Sequence, residues 1–378
     1  MIKRIPIRIS LLLLFCLPCS AIGQDDTTGQ GKGKKSSVME KLDSLSKGDS
    51  GKFVHPRLDD AYNKGVELMK KKEHEKAITR FDSVIHWDSA FVKAHYNKGN
   101  IFARMGKKEK AIKAFDRVIA LNDSAFNTYK AYYQRARMKR KLGDQKGALK
   151  DLKKAAELNS KEPRYLYKAG VIHFERKEYD RAIKSFTRTI ERDPEHAYAF
   201  NDRGSAKLKK GNIKGAIKDY EEAVRKDASL AFVYNNLGSA YRKNEQYEKA
   251  IGEYDQAARL NNNNPLILNN RGKAKYELGR YKEAVKDFEK AINIDPKYSM
   301  AYLNRAATYI RMKEWEKAVE DCNKAAEINP DNGYIYLNRG IAREMLRNVE
   351  GACKDWKKAK KMGVGNAKSY YQRSCDLK

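Results

Sequence analysis

Residues 265–296 read PLILNNRGKAKYELGRYKEAVKDFEKAINIDP. Apolar residues recur at helical spacing on both sides of Gly279, which predicts two amphipathic helices joined by a tight turn. Gly272, Ala284 and Ala291 are small where neighbouring helices must approach closely. A shift of 34 residues in either direction brings the same arrangement back. Units begin at Leu58, Val92, Tyr129, Pro163, Ala197, Ala231, Pro265, Ser299 and Gly333. Every step is 34 residues except the one from Val92 to Tyr129, which is 37, with the extra residues near 125–128.

Positions are counted from the first residue of each unit. Position 20 is alanine in all nine units, from Ala77 to Ala352, and position 8 is glycine except at Ala136 and Ala306. Position 24 is large in eight units (Phe81, Phe115, Leu152, Phe186, Tyr220, Tyr254, Phe288, Trp356), with Cys322 the exception. Two helices cross closely over small residues, and a large side chain fills the space toward the next pair. No pair buries both its faces alone, so stacking is obligatory. Pro194, Pro296 and Pro330 at position 32 terminate second helices.

The period, with Tyr at 11 in some units, Ala at 20, an aromatic at 24, Ala at 27 and Pro at 32, resembles the tetratricopeptide repeat. The resemblance implies an all-α, right-handed superhelical solenoid with a concave groove. Nine units are expected over residues 58–362. Residues 363–378 read as a capping helix over the open apolar edge of the last unit.

The chain has 378 residues and a formal net charge of +30, so its partners are expected to be acidic. Lys3, Arg4 and Arg8 followed by ISLLLLFCLP (9–18) form an export leader, with cleavage expected after Gly23. The apolar run is too short for a comfortable membrane span, so the mature chain is expected to have none. A lipidated anchor would use Cys16 or Cys19, but Phe15 and Pro18 are bulky where a small residue is needed. The expected location is therefore periplasmic or secreted, and lipoprotein anchoring is the weaker reading. Residues 24–57 are rich in Gly, Ser, Thr, Asp and Lys and read as a flexible polar linker. Beyond the leader lie Cys322, Cys353 and Cys375, with no CxxC spacing, so neither a zinc site nor a disulfide framework is indicated. Cys322 and Cys353 read as small buried hydrophobes. A bridge from Cys353 to Cys375 is the alternative in an oxidising compartment.

No catalytic constellation emerges. The six histidines lack HExxH spacing, there is no GxxxxGK[ST] loop, and the glycines of GQGKG (29–33) follow no strand. Acidic pairs such as Glu221–Glu222 read as solvated surface. No enzyme activity, cofactor or metal is expected.

Function is therefore sought on the inner wall, which the family resemblance assigns to positions 2, 5, 6, 9, 12 and 13. Position 5 carries Tyr62, Tyr96, Tyr133 and Tyr167 in the first four units. Units two to four add Lys93, Arg104, Lys130, Arg137, Arg140, Lys141, Arg164 and Lys168 against a single acid, Glu175. Tyrosines give flat contact area and cations attract carboxylate, phosphate or sulfate. The later units carry Asn236, Asn270, Asn304 and Asn338 at position 6 and Asn201, Asn235 and Asn269 at position 5. Amides both donate and accept, so this row can hold the backbone of an extended peptide. It resembles the asparagine ladder in the superhelical domain of the O-linked N-acetylglucosamine transferase. The chaperone-tail carboxylate clamp of the family is not matched: position 5 is never Lys, and only Arg164 and Lys168 fit its third part. The expected function is a non-enzymatic scaffold of the bacterial envelope that binds an extended or acidic peptide segment in the groove. The rival is an anionic glycan or lipopolysaccharide binder using the same basic patch. Nucleic acid suits the charge but not the compartment, and no nucleic-acid motif is present.

Overall fold

The computed structural model describes residues 57–375, and every structural statement below concerns these residues. The expected leader, the linker (Arg57 apart) and residues 376–378 lie outside them. The described chain forms nineteen helices and no strand. Unit one is α1 (Leu58–Lys70) and α2 (His74–Trp87). Units two to four are α3 (Val92–Arg104) with α4 (Lys108–Leu121), α5 (Tyr129–Lys141) with α6 (Gln145–Leu158), and α7 (Arg164–Glu175) with α8 (Tyr179–Arg192). Units five to seven are α9 (Ala197–Lys209) with α10 (Ile213–Lys226), α11 (Ala231–Lys243) with α12 (Tyr247–Leu260), and α13 (Pro265–Glu277) with α14 (Tyr281–Ile294). Units eight and nine are α15 (Ser299–Arg311) with α16 (Trp315–Ile328) and α17 (Gly333–Met345) with α18 (Val349–Lys361), and α19 (Gly365–Cys375) follows. Each helix packs on the next, and each first helix also touches the first helix of a neighbouring unit, so the pairs stack as a solenoid.

The turn inside a unit needs one left-handed residue to reverse the chain. Gly279 supplies it at φ +81°, a conformation glycine adopts without a Cβ clash. Lys72, Lys177, Glu245, Lys313 and Arg347 take the same role at φ between +60° and +63°.

The packing inside a unit is more specific than small-against-small. The alanine at position 20 is fully buried in every unit, and the ring at position 24 lies directly over position 8. A Cβ placed on Gly272 would come within 2.7 Å of the Phe288 ring. The two units with alanine at position 8, Ala136 and Ala306, carry the smaller Leu152 and Cys322 at position 24. Volume is conserved across the pair, as close-packed interiors demand.

A second fastening has no counterpart in the sequence reading. Arg135, Arg203, Arg271, Arg305 and Arg339 at position 7 each fork onto a buried aspartate at position 23 of the same unit: Asp151, Asp219, Asp287, Asp321 and Asp355. Their two N–H···O bonds measure 2.5–3.0 Å. The remaining guanidinium nitrogen reaches back to the preceding unit, as Arg271 does to Asp255 at 2.7 Å. One planar side chain thus joins three helices.

The far end is closed by α19. Tyr370 stacks on the buried Trp356, Ala367 is fully buried, and Arg373 pairs with Glu344. Cys353 and Cys375 form a disulfide that ties α19 to α18. Reading Cys353 as a lone buried hydrophobe is thereby corrected: its helix face meets the end of α19. Cys322 is buried and free, and burial raises its thiol to about 12, which makes it inert.

Candidate functional site: the wall of first helices

Position 5 of one unit faces position 6 of the next, 35 residues on. Tyr62 meets Asn97 at 3.1 Å, and Tyr167 donates to Asp202 at 2.8 Å. Asn236, Asn270 and Asn304 donate to Asn201, Asn235 and Asn269 at 2.9, 3.0 and 2.7 Å. The asparagine row is therefore a set of rungs between units rather than a line of free amides. Asn201 and Asn269 are buried, and Asn235 spends its carbonyl on the rung. Asn236, Asn270 and Asn304 remain half-buried, each with one amide hydrogen and the carbonyl not used in the rung. Asn338 stands opposite Leu303, which offers no amide oxygen.

Asp202 closes the ladder at its N-terminal end. It accepts from Tyr167 and, at 2.9 Å, from Asn201. Burial raises its carboxyl to about 6 despite those donors and the nearby Lys168. The same burial, with the charge of Asp202, pushes the Tyr167 hydroxyl up. The Tyr167 ring packs against His196 with centroids 4.7 Å apart, and His196 caps α9 by accepting the Ala199 N–H.

Next to Tyr167 the cations converge. Burial and the charges of Arg140, Arg137 and Arg164 push the Lys168 ammonium below the ordinary lysine value. Arg137 lies 6.0 Å from the Tyr133 ring centroid and Lys168 5.3 Å from that of Tyr167. Arg140 pairs with Glu175 at 2.5 Å and Arg164 with Glu162 at 3.6 Å, Asp202 lies near Lys168, and Arg137 donates to the neutral Gln134 at 2.7 Å. Lys93, Tyr96 and Lys130 gather elsewhere, around a hollow of about 290 Å³ that Tyr62, Asn97, Ala125, Phe126 and Asn127 also line. The three residues added between units two and three thus help build this hollow. Asp123 accepts the Ala125 N–H at 2.8 Å and Phe126 packs on Tyr96, which hold the loop in place. Arg104 ends α3 at an exposed position and joins neither group.

One row was passed over in the sequence. Position 2 carries Lys93, Lys130 and Arg164 in units two to four, then Tyr198, Phe232, Leu266, Met300 and Tyr334 in units five to nine. Reading that position along the whole array would have found it. Glu221 is also more than solvated surface, since Tyr241 donates to it at 2.5 Å. A larger open hollow of about 660 Å³ lies between α12 and α14, where Asp255 and Arg271 already serve the guanidinium fork.

This is a helical-repeat solenoid whose first helices present a polar, charged wall. Models of the repeat match across most of it: "TPR repeat" at 204–245, 238–279 and 272–313, and "Tetratricopeptide repeat" at 92–124, 299–332 and 133–197. The chain belongs to the tetratricopeptide repeat family. Units one and nine fall outside the matched segments, yet they form the same helix pairs. Among solved structures it is similar to a tetratricopeptide repeat protein from Parabacteroides merdae, at 21% identity over 65% of this chain and 97% of that one, with TM-score 0.54. The C-terminal part of a TPR repeat-containing protein from Cytophaga hutchinsonii is similar at 21% identity, covering 64% and 98%, with TM-score 0.54. The APC/C hetero-tetramer Cut9–Hcn1 aligns at 13% identity over 85% of this chain and 64% of that one, with TM-score 0.52. At these identities the likeness is one of fold. No curated protein matches the chain. Proteins of this family bind protein partners and are typically non-enzymatic scaffolds. No described helix is long and apolar enough to cross a membrane.

Proposed function

We infer that the protein is a non-enzymatic interaction scaffold of the bacterial envelope that holds an extended acidic protein segment in its groove. The observation that carries this reading is the cluster of Arg137, Arg140, Arg164 and Lys168 on α5 and α7. Burial and then its like charges hold the Lys168 ammonium below the ordinary lysine value even with Asp202 nearby, so an incoming carboxylate relieves repulsion as well as forming charge-assisted bonds. Tyr133 and Tyr167 add flat, partly exposed surface beside the cations. The leader-like first residues and the Cys353–Cys375 bridge support an exported protein in an oxidising compartment.

The test is binding of a fluorescent oligoglutamate peptide to the mature chain, followed by anisotropy across a salt series. Replacing Arg137, Arg140 and Arg164 together with Glu should weaken binding at least about tenfold and flatten its salt dependence. Unchanged affinity in the triple variant would remove the basic cluster from the binding surface.

A further inference from the structure

Position 2 lies in the first turn of each first helix, on the wall that carries positions 5 and 6. Lys93 and Lys130 at this position share one hollow with Tyr62, Tyr96 and Asn97. From unit five onward the same place turns apolar. Tyr198 stacks on Phe232, with centroids 5.7 Å apart and planes 29° from parallel. Leu266 is half-buried, while Met300 and Tyr334 are 37% and 60% exposed. Five successive units thus present one apolar side chain each, alongside the half-buried amides of Asn236, Asn270, Asn304 and Asn338 at position 6. Exposed apolar rows of this length with a polar margin mark binding surfaces.

We propose that the groove reads a bipartite extended segment, with acidic residues against units two to four and apolar residues recurring at every third position against units five to nine. This rests on the reading above and specifies its ligand. Charge complementarity assigns the acidic part to Lys93, Lys130 and Arg164. Those cations pass into Tyr198 along one row, so a single chain laid on the wall meets both chemistries in order. The spacing follows from geometry. Packed helices lie about 8–10 Å apart and an extended chain advances about 3.3 Å per residue, so one unit spans about three residues. A three-residue period turns side chains of an extended chain to alternate sides unless it twists, as polyproline II does with three residues per turn. The bound segment is therefore expected to be polyproline-like rather than a flat strand. Such a chain leaves its backbone groups free for the unused amide hydrogens and carbonyls of Asn236, Asn270 and Asn304.

The experiment uses the mature chain and synthetic peptides followed by fluorescence anisotropy. One probe has three Glu-Ser-Gln triplets followed by five Leu-Ser-Gln triplets, and a second has the two blocks in reverse order. Controls replace every leucine with serine, or respace the leucines to every second residue. One block order should bind at least about tenfold more tightly than its leucine-free control and its respaced control. That advantage should vanish in Met300→Asp/Tyr334→Asp. These substitutions sit on exposed first-turn positions, where an acid suits the helix N-terminus, so an unchanged melting curve is expected. Equal affinity of the leucine-free or respaced peptides overturns the bipartite proposal and leaves the acidic-segment reading standing. Retention of the leucine advantage in the double variant also overturns it. If no acidic peptide binds, both fall.

Discussion

Units two to four and units five to nine share one backbone and present different walls. In the first group the wall residues are cations and tyrosines, and the cations repel one another around Lys168. In the second group amides pair across three unit boundaries, and the buried Arg–Asp fork recurs in four of the five units. The difference separates polar groups that pair across units from polar groups whose like charges crowd together. A row of asparagines looks like a binding surface in sequence, yet half of its hydrogen-bonding capacity holds neighbouring units in register. In the cationic cluster Arg140 reaches another unit, at Glu175, and burial with the neighbouring charges disfavours the Lys168 ammonium.

That contrast can be broken at the forks first. Arg271→Ala removes the bidentate partner of Asp287, which is 2% exposed, leaves that carboxylate to Lys275 alone at 2.9 Å, and releases Asp255. Three charge-assisted hydrogen bonds are lost at once, so a cost above about 3 kcal/mol, read as a large fall in the urea midpoint, is expected. Unit six has Leu237 in the arginine's place and Glu253 in the aspartate's, and units one, two and four also lack the pair, so the fork is not required in every unit. The disulfide comes next. Cys353→Ser/Cys375→Ser opens a bridge with a sequence separation of 22 and should cost about 3 kcal/mol, read as a lower melting temperature. The loss should appear first as faster amide exchange in α19, because terminal units open most easily.

A third test addresses the boundary between the two groups. Asp202 has its carboxyl raised to about 6 in the fold, against an ordinary value near 3.8. A raised acid favours the folded state most when protonated. Its contribution is present below about pH 4 and is lost as pH rises through about 6. Wild-type stability should therefore decline across that window, and Asp202→Asn should remove this part of the decline. The smallest effect is expected at a rung: Asn270→Ala removes one hydrogen bond to Asn235 and should cost about 1 kcal/mol. A loss much larger than that would mean the rungs act cooperatively.

Much of the fold was legible. Alanine at position 20 and large residues at position 24 recur because each unit meets the same neighbours, so periodicity carries the tertiary packing into one dimension. The fork was not legible, because Arg271 and Asp287 sit 16 residues apart on different helices and look like ordinary surface charges until α13 and α14 are packed. The candidate site was legible in part. Charge marked Arg137, Arg140, Arg164 and Lys168, but only the folded array brings them together and separates Arg104 from them. The hollow beside Lys93 and Lys130 depends on a loop that the sequence shows merely as three surplus residues.

By itself, the sequence determined the helices, the period and the number of units, since these follow from local spacing of small and large side chains. The stretch at 265–296 contains all of that. Only the tertiary structure decided which of its polar residues are spent on neighbouring units. Asn269 and Asn270 are adjacent in the chain, yet one is buried accepting from Asn304 and the other reaches back to Asn235 from a half-open position. Hydrogen-bond partners lie on neighbouring units, 35 residues away, and a group's availability is fixed by those distant partners rather than by its own type.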